Sequence, residues 1–169
     1  MTSPSPVIRL EMDADRAAIH ALHSAAFETT AEADLVDLLR ADNALTLSLV
    51  ADIAGKLVGH VAVSPVTLND SRDSKWFGLG PIAVHPNHQR RGIGATLMLK
   101  ALNDTAALGG QGMVLLGDPA FYTRFGFQPS TDFDLAWENG GGPYFQAVKL
   151  GKATVPKGTV AYHPAFDQV

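Results

Sequence analysis

The chain contains no cysteine. This absence excludes a disulfide scaffold, a thiol nucleophile, an iron–sulfur cluster and a zinc site built from thiolates. A chain without cysteine suits a reducing cytosol. Residues 1–6 also lack the basic and apolar parts of a signal peptide. The sequence therefore predicts a cytoplasmic protein.

Long hydrophobic runs and an excess of basic residues are also missing. No segment reaches the roughly 18 consecutive apolar residues that a membrane span requires. The net charge is -4, from 13 basic and 17 acidic residues, whereas nucleic-acid-binding domains usually carry a basic face. We therefore predict a protein that binds neither a membrane nor a nucleic acid.

The length and composition are those of one globular domain. The chain has 169 residues, of which 46% are hydrophobic and 18% charged, and a domain takes about 150 residues. We predict one domain over residues 1–150, with a C-terminal tail, residues 151–169, packed on the same domain.

Hydrophobic periodicity predicts a mixed α+β fold with a largely antiparallel sheet. Apolar residues recur at helical spacing in three segments, residues 13–27, 30–39 and 92–108. Alternating or continuous apolar runs predict strands at residues 7–11, 45–51, 57–63, 79–84, 113–116 and 144–150. The order strand 79–84, helix 92–108, strand 113–116 predicts one βαβ crossover with parallel strands.

The same patterns predict details of individual elements. Asp13 is a candidate N-cap, and the alternation over residues 45–51 predicts a half-buried strand. Leu99 is expected in the apolar band of its helix beside Leu97. Phe125 is expected to begin another strand.

The segment Gln89-Arg90-Arg91-Gly92-Ile93-Gly94 lies between a predicted strand and a predicted helix. A helix N-terminus offers about four unpaired amides and a partial positive charge. Glycines let a ligand approach the backbone closely, and the arginines add charge. These properties favour a cradle for a diphosphate. A tight turn with two solvated arginines is the alternative that spacing alone leaves open.

This segment resembles the Q/R-x-x-G-x-G/A signature of the GCN5-related N-acetyltransferase (GNAT) superfamily. A second segment, residues 122–127, fits the Y-x-x-x-G-F pattern of that family, and residues 116–122 resemble its YhbS-like branch. The similarity covers about residues 5–150. It implies a GNAT-type mixed, largely antiparallel central sheet with helices on both faces, and acetyl-CoA as the acyl-donor cosubstrate.

The resemblance also implies roles for individual residues. The strand residues Ile82, Ala83 and Val84 would pair with the pantetheine arm. The pyrophosphate would be wrapped by the residues that follow, Gln89, Arg90, Arg91, Gly92, Ile93, Gly94 and Ala95. Tyr122 would stand near the sulfur, where a phenol with a pKa of about 10 can protonate the departing thiolate. A structural role as a core tyrosine is the alternative for Tyr122.

The implied function is transfer of the acetyl group of acetyl-CoA, by direct attack, to an amine of a small-molecule or peptide acceptor. A non-catalytic acyl-CoA-binding or regulatory module with the same cradle is the alternative. A homodimer is left open, and the pair His85 and His88 is not interpreted as a metal site.

The general base stays undetermined at this point. Many family members carry a glutamate on the strand before the cradle, but residues 79–84 contain no carboxylate. The candidates are Glu28, Glu32, His23, His60 and Asp118. Each also has a structural interpretation, such as a core histidine for His60 or a helix N-cap for Asp118. An amine that loses its proton in bulk water would need no base.

Overall fold

The structure is a computed structural model that describes residues 4–71 and 73–169. The helices are α1 (Arg16–Ala26), α2 (Ala31–Ala41), α3 (Ile93–Ala107) and α4 (Pro119–Tyr122). The strands are β1 (Val7–Leu10), β2 (Leu47–Ile53), β3 (Lys56–Pro65), β4 (Thr67–Leu68), β5 (Trp76–Val84), β6 (Gly112–Leu116), β7 (Gln128–Pro129), β8 (Leu135–Trp137), β9 (Phe145–Lys149) and β10 (Gly158–Ala161).

The chain forms two compact units. Among the described residues, the first unit comprises residues 4–63, 80–101 and 164–169, and the second comprises residues 64–71, 73–79 and 102–163. The elements β3, β5 and α3 contribute residues to both units.

In the first unit, β1, β2 and β3 form an antiparallel ladder. The predicted hairpin is confirmed, with Leu49 opposite Val61 and Val50 opposite His60. Its two turn residues, Ala54 and Gly55, have positive φ angles of 52° and 87°. Two successive left-handed residues are the conformation that matches the twist of a two-residue hairpin.

Helices cover both faces of this ladder. On one face, Val50 packs with Ile19 of α1 and Val36 of α2. On the other face, a Cβ added to Gly59 would lie 2.9 Å from Leu97 Cδ1 of α3. The first five residues of β2 are therefore all buried. The prediction of a half-buried strand was wrong, because helices cover both faces of β2 and the polar residue among these five does not face solvent.

The helices lie close to their predicted ranges, with two corrections. A 3₁₀ turn, Asp13–Asp15, precedes α1, so Asp13 is not its N-cap. Asp15 instead accepts a hydrogen bond from the amide of Met12, at 2.7 Å. In α3, Leu99 is 53% exposed. Two residues rotate a helix by about 200°, which carries Leu99 to the side opposite Leu97.

In the second unit, β5 and β6 are parallel, in the register Trp76–Gly112 to Gly78–Val114. This pairing confirms the predicted crossover through α3. The strand β9 runs antiparallel to both β6 and β7, and a smaller sheet joins β4, β10 and β8. The core of this unit is built around the buried rings of Trp76 and Phe145.

The segment after α4 differs from its prediction. Phe125 ends a 3₁₀ turn, Thr123–Phe125, rather than beginning a strand. Gly126 follows with a left-handed φ of 94° and closes the turn, so extended backbone begins only at β7. Across residues 4–71 and 73–169, no helix combines the length and the apolar character needed to traverse a bilayer.

Candidate active site

The end of β5 brings the first predicted site residues into place. Ala83 is buried, whereas Ile82 and Val84 are half-buried. The strand is irregular just before them, since Gly80 has a φ of 135° and its bond to Pro81 is cis. The amide of His85 donates to the carbonyl of Val58, at 2.8 Å, which holds the end of β5 beside β3.

A short connection leads from β5 to α3. His85 caps a 3₁₀ turn, Pro86–His88, through its Nδ1 atom, which accepts from the amide of Asn87 at 3.1 Å. The side chain of Gln89 reaches back and donates to the carbonyl of Val84, at 3.1 Å. Gln89 therefore fixes the start of the predicted cradle, and His85 has a structural task that accounts for its position.

The backbone of the cradle turns at two left-handed residues. Arg90 has a φ of 64° and Gly92 a φ of 82°, on either side of Arg91. Left-handed backbone costs roughly 1–2 kcal/mol for a residue that has a Cβ. Arg90 thus holds a conformation that its own side chain disfavours.

The first turn of α3 presents unpaired amides. Thr96 makes the first bond of the helical series, from its amide to the carbonyl of Gly92 at 3.0 Å. The amides of Gly92, Ile93, Gly94 and Ala95 consequently have no acceptor within the helix. The dipole of this 15-residue helix adds partial positive charge at the same end.

The space in front of this turn suits an anion. A Cβ added to Gly92 would meet no atom within 4 Å. The side chains of Arg90 and Arg91 are exposed. Open space, unpaired amides and two guanidinium groups together fit a diphosphate.

Tyr122 is the last residue of α4, in the second unit. Asp118 is the N-cap of this helix, and its Oδ1 accepts from the amide of Ala120 at 2.9 Å. The half-buried ring of Tyr122 packs edge-on against Phe121 and Phe127, with centroids 4.9 and 6.2 Å away. Burial raises the pKa of its hydroxyl above 10. The phenol therefore stays protonated at neutral pH and can donate a proton.

The five candidate bases fall in different environments. Asp118 is engaged as the cap of α4. Glu28 is exposed and Glu32 is half-buried. His23 and His60 are both completely buried, with His23 Nε2 2.8 Å from His60 Nδ1. The two histidines therefore contact each other in the core.

The histidine pair continues into a network that the sequence did not predict. His60 Nε2 lies 2.8 Å from Ser48 Oγ, and Ser48 donates to Glu11 Oε1. Arg40 donates twice to the carboxylate of Glu11, at 3.0 Å each. Directly bonded residues of this network lie up to 37 positions apart in the chain, so no local spacing could have indicated the network.

Burial controls the charge of both histidines. It lowers the pKa of His23 to about 4, an effect that His20 strengthens and Asp37 opposes. It also holds the pKa of His60 well below 6.5, helped by His23 and Arg40. Both rings are consequently neutral at pH 7.

A second group of polar residues, linked to the network through Arg40, consists of His20, Asp34 and Asp37. Ligand atoms of His20, Asp34 and Asp37 lie within 4.8 Å of one another. Each carboxylate already accepts a hydrogen bond, Asp37 from Arg40 and Asp34 from Thr30, at 3.0 Å in both cases. The arginine supplies the positive charge that balances Asp37.

Comparison with known proteins adds independent information. An acetyltransferase (GNAT) domain model matches residues 45–129. The chain is 38% identical over 167 residues to the uncharacterized N-acetyltransferase YhbS of Escherichia coli (strain K12), covering 96% of this chain and 99% of that protein. It is also 35% identical to the uncharacterized N-acetyltransferase YjhQ of the same strain, over 68% of this chain and 65% of YjhQ.

Two solved structures resemble the whole chain. The GNAT family N-acetyltransferase YhbS from Escherichia coli, in complex with CoA, has a TM-score of 0.93 at 37% identity, covering 99% of this chain and 94% of its own. A GNAT family acetyltransferase from Brucella melitensis, in complex with acetyl-CoA, has a TM-score of 0.83 at 41% identity, covering 96% and 98%.

Proposed function

We propose that this chain moves the acetyl group of acetyl-CoA to an amine by direct attack. The premise is its family, because the chain belongs to the GNAT family of acyl-CoA-dependent N-acetyltransferases. The observation that carries the proposal is the open first turn of α3. Its unpaired amides, left-handed Gly92 and flanking arginines fit the pyrophosphate of the acyl donor. Relatives of similar length are known with CoA or acetyl-CoA bound.

We assign the pyrophosphate to residues 89–95 and the pantetheine arm to Ile82, Ala83 and Val84. An extended strand offers amides and carbonyls to an amide-containing chain such as pantetheine. An amide at the irregular end of β5 would donate to the thioester carbonyl. That bond would stabilise the oxyanion that forms during attack.

Tyr122 would act as the general acid. When the amine nitrogen bonds to the carbonyl carbon, the carbon–sulfur bond breaks and the sulfur needs a proton. The Tyr122 hydroxyl is protonated at neutral pH, so a proton is available when the thiolate forms.

The acceptor is an amine on a small molecule or a peptide. A release assay for free thiol tests this proposal, with acetyl-CoA and a panel of amino acids, polyamines, aminoglycosides and short peptides. We expect at least one amine to accelerate thiol release above the hydrolysis rate. Tight binding of acetyl-CoA with no thiol release on any amine would contradict acetyl transfer and favour the non-catalytic acyl-CoA-binding module.

A further inference from the structure

A buried chain of hydrogen bonds in the first unit has no part in the proposed cradle. It runs from His23 on α1 to His60 on β3, to Ser48 on β2, and to Glu11 just after β1. The two imidazoles are 0% exposed and Ser48 is 6% exposed. A polar chain of this kind is costly to bury unless every bond in it is satisfied.

The carboxylate fixes the direction of every bond in this chain. Glu11 is paired with Arg40 and, as a carboxylate, can only accept. Ser48 must therefore donate its proton to Glu11 and accept from His60 Nε2. A neutral imidazole carries one N–H, so His60 Nδ1 is an acceptor and receives the Nε2 proton of His23. Nδ1 of His23 is thereby left with a free electron pair.

This electron pair has no partner. Nδ1 of His23 is buried and accepts no hydrogen bond from any group in residues 4–71 or 73–169. Buried polar atoms without a partner are rare in native proteins, and each one calls for an explanation. The opposite end of this series of hydrogen bonds is accessible, because Glu11, Arg40 and Ser48 line an open pocket of about 360 Å³.

His23 lies in the last turn of α1, close to the start of the connection between α1 and α2. The ring of Phe27, at the C-terminal cap of α1, lies parallel to the ring of His23 at 6.0 Å. Residues 28–30 continue from Phe27 and are exposed. Because Nδ1 of His23 is buried, a local movement at this end of α1 would be required for an acceptor amine to reach it.

We propose that His23 is the general base of the acetyl transfer, and that Glu11, Ser48 and His60 are positioning residues that hold its Nδ1 unprotonated. This assignment rests on the proposed function. The acceptor nitrogen bonds to the carbonyl carbon and gives its proton to His23 Nδ1, while the carbon–sulfur bond breaks and the sulfur takes the proton of Tyr122. Exchange with solvent then returns a proton to Tyr122 and removes one from His23.

The charge of His23 depends on few neighbours. The titratable groups that act on it are His20 on its own helix, Asp37 on α2 and His60 on β3. Burial and His20 lower the pKa of the ring and keep it neutral at pH 7, although Asp37 acts in the opposite direction. His23 can consequently accept a proton at neutral pH. The glutamate that many family members carry on the strand before the cradle is unprotonated at that pH in the same way.

The protonation pattern can be measured without turnover. Nitrogen NMR of the full chain with labelled histidine distinguishes the two neutral forms of each imidazole. We expect both His23 and His60 to carry their proton on Nε2. A proton on Nδ1 of His23 would overturn the proposal, because that atom could not then accept one.

Substitutions test the role in catalysis. We expect His23→Gln to lower kcat by roughly 10²-fold or more, as for other general bases. Ser48→Ala breaks the chain without changing charge. It should remove the preference for the Nε2 form in both rings and lower kcat about tenfold, the effect of one lost hydrogen bond. Calorimetry should give an unchanged Kd for acetyl-CoA in both variants.

Two further variants separate this role from general destabilisation. Ser48→Thr keeps the hydroxyl and should restore both the NMR pattern and kcat. Ser64→Ala removes an equally buried hydroxyl that lies outside the chain of hydrogen bonds, and it should leave kcat unchanged. A His23→Gln variant that turns over like the wild type would overturn the base assignment while leaving acetyl transfer intact. A wild-type chain that binds acetyl-CoA and acetylates no amine of the panel would instead contradict the proposed function, and the base assignment with it.

Discussion

The ring of Tyr122 rests directly on the backbone of Gly117. A Cβ built on Gly117 would lie 2.4 Å from Tyr122 Cε2 and 3.0 Å from Cδ2. Gly117 is itself held in place, since Gln146 Nε2 donates to its carbonyl at 3.0 Å and its amide donates to Tyr144. A glycine at position 117 is therefore a condition for the observed orientation of the phenol.

Gly117→Ala should displace the ring and misplace the hydroxyl. A misplacement of about 1 Å can lower a rate by on the order of 10²-fold, so we expect kcat to fall with little change in the Kd for acetyl-CoA. The check is steady-state thiol release together with calorimetry. If Gly117→Ala acts through Tyr122, adding it to Tyr122→Phe should lower kcat no further. Independent, additive losses would contradict this link.

Tyr122→Phe removes the proposed acid and keeps the packing of the ring. We expect kcat to fall by roughly 10² or more, because the thiolate would leave unprotonated. Calorimetry should find acetyl-CoA bound as tightly as by the wild type. The neighbouring Phe125→Leu serves as a control for altered aromatic packing in the same segment. A Tyr122→Phe variant with wild-type kcat would exclude the acid role.

Gly92→Leu should block the cradle. The side chain would project into the space in front of α3, and we expect the Kd for acetyl-CoA to rise more than tenfold. The substitution also carries a backbone penalty of roughly 1–2 kcal/mol at a left-handed residue. Gly55→Leu is a matched control, since Gly55 is also left-handed, with a φ of 87°, and a Cβ there also meets no atom within 4 Å.

The control should lose similar stability in thermal unfolding and retain the affinity for acetyl-CoA. Equal affinities in the two leucine variants would refute the assignment of the pyrophosphate to the first turn of α3.

Stability should depend on pH through the buried histidines. The pKa of His23 is lowered from 6.5 to about 4 in the folded protein, so the unfolded chain binds more protons between these values. The contribution of neutral His23 to the free energy of unfolding is therefore fully present above pH 6.5, and it is lost as the pH drops toward 4. His23 alone should remove roughly 2 kcal/mol between pH 7 and pH 5.

Urea unfolding at pH 7, 6 and 5 measures this dependence. His23→Gln should reduce it and leave the part that His60 contributes, whereas His20→Gln, at a partly exposed position on the same helix, should leave most of it in place. A His23→Gln variant that keeps the wild-type slope would assign the effect to other groups.

The sequence predicted those parts of the fold that local patterns control. The crossover through α3 was predicted because the apolar stripe of Ile93 and Leu97, the stop at Gly109 and the apolar run of β6 are each local signals. Asp118 was correctly read as the cap of α4, since an aspartate before proline at a helix start has a local physical cause.

The network around Glu11 could not be predicted in the same way. Ser48 alternates with leucines in β2 and so suggested a wet face, but α1 and α2 cover that face. Glu11 and Arg40 are paired by tertiary folding across 29 positions. His23 and His60 were both candidates for the base, yet only the three-dimensional arrangement joins them and orients their protons.

The exposed first turn of α3 has a practical consequence in a chain without cysteine. Thr96 lies exposed on this turn, so Thr96→Cys would create a unique thiol at the mouth of the cradle. A fluorophore attached there would report occupancy directly, even before an acceptor is known. Stopped-flow competition with propionyl, butyryl and longer acyl thioesters would then rank donors by chain length.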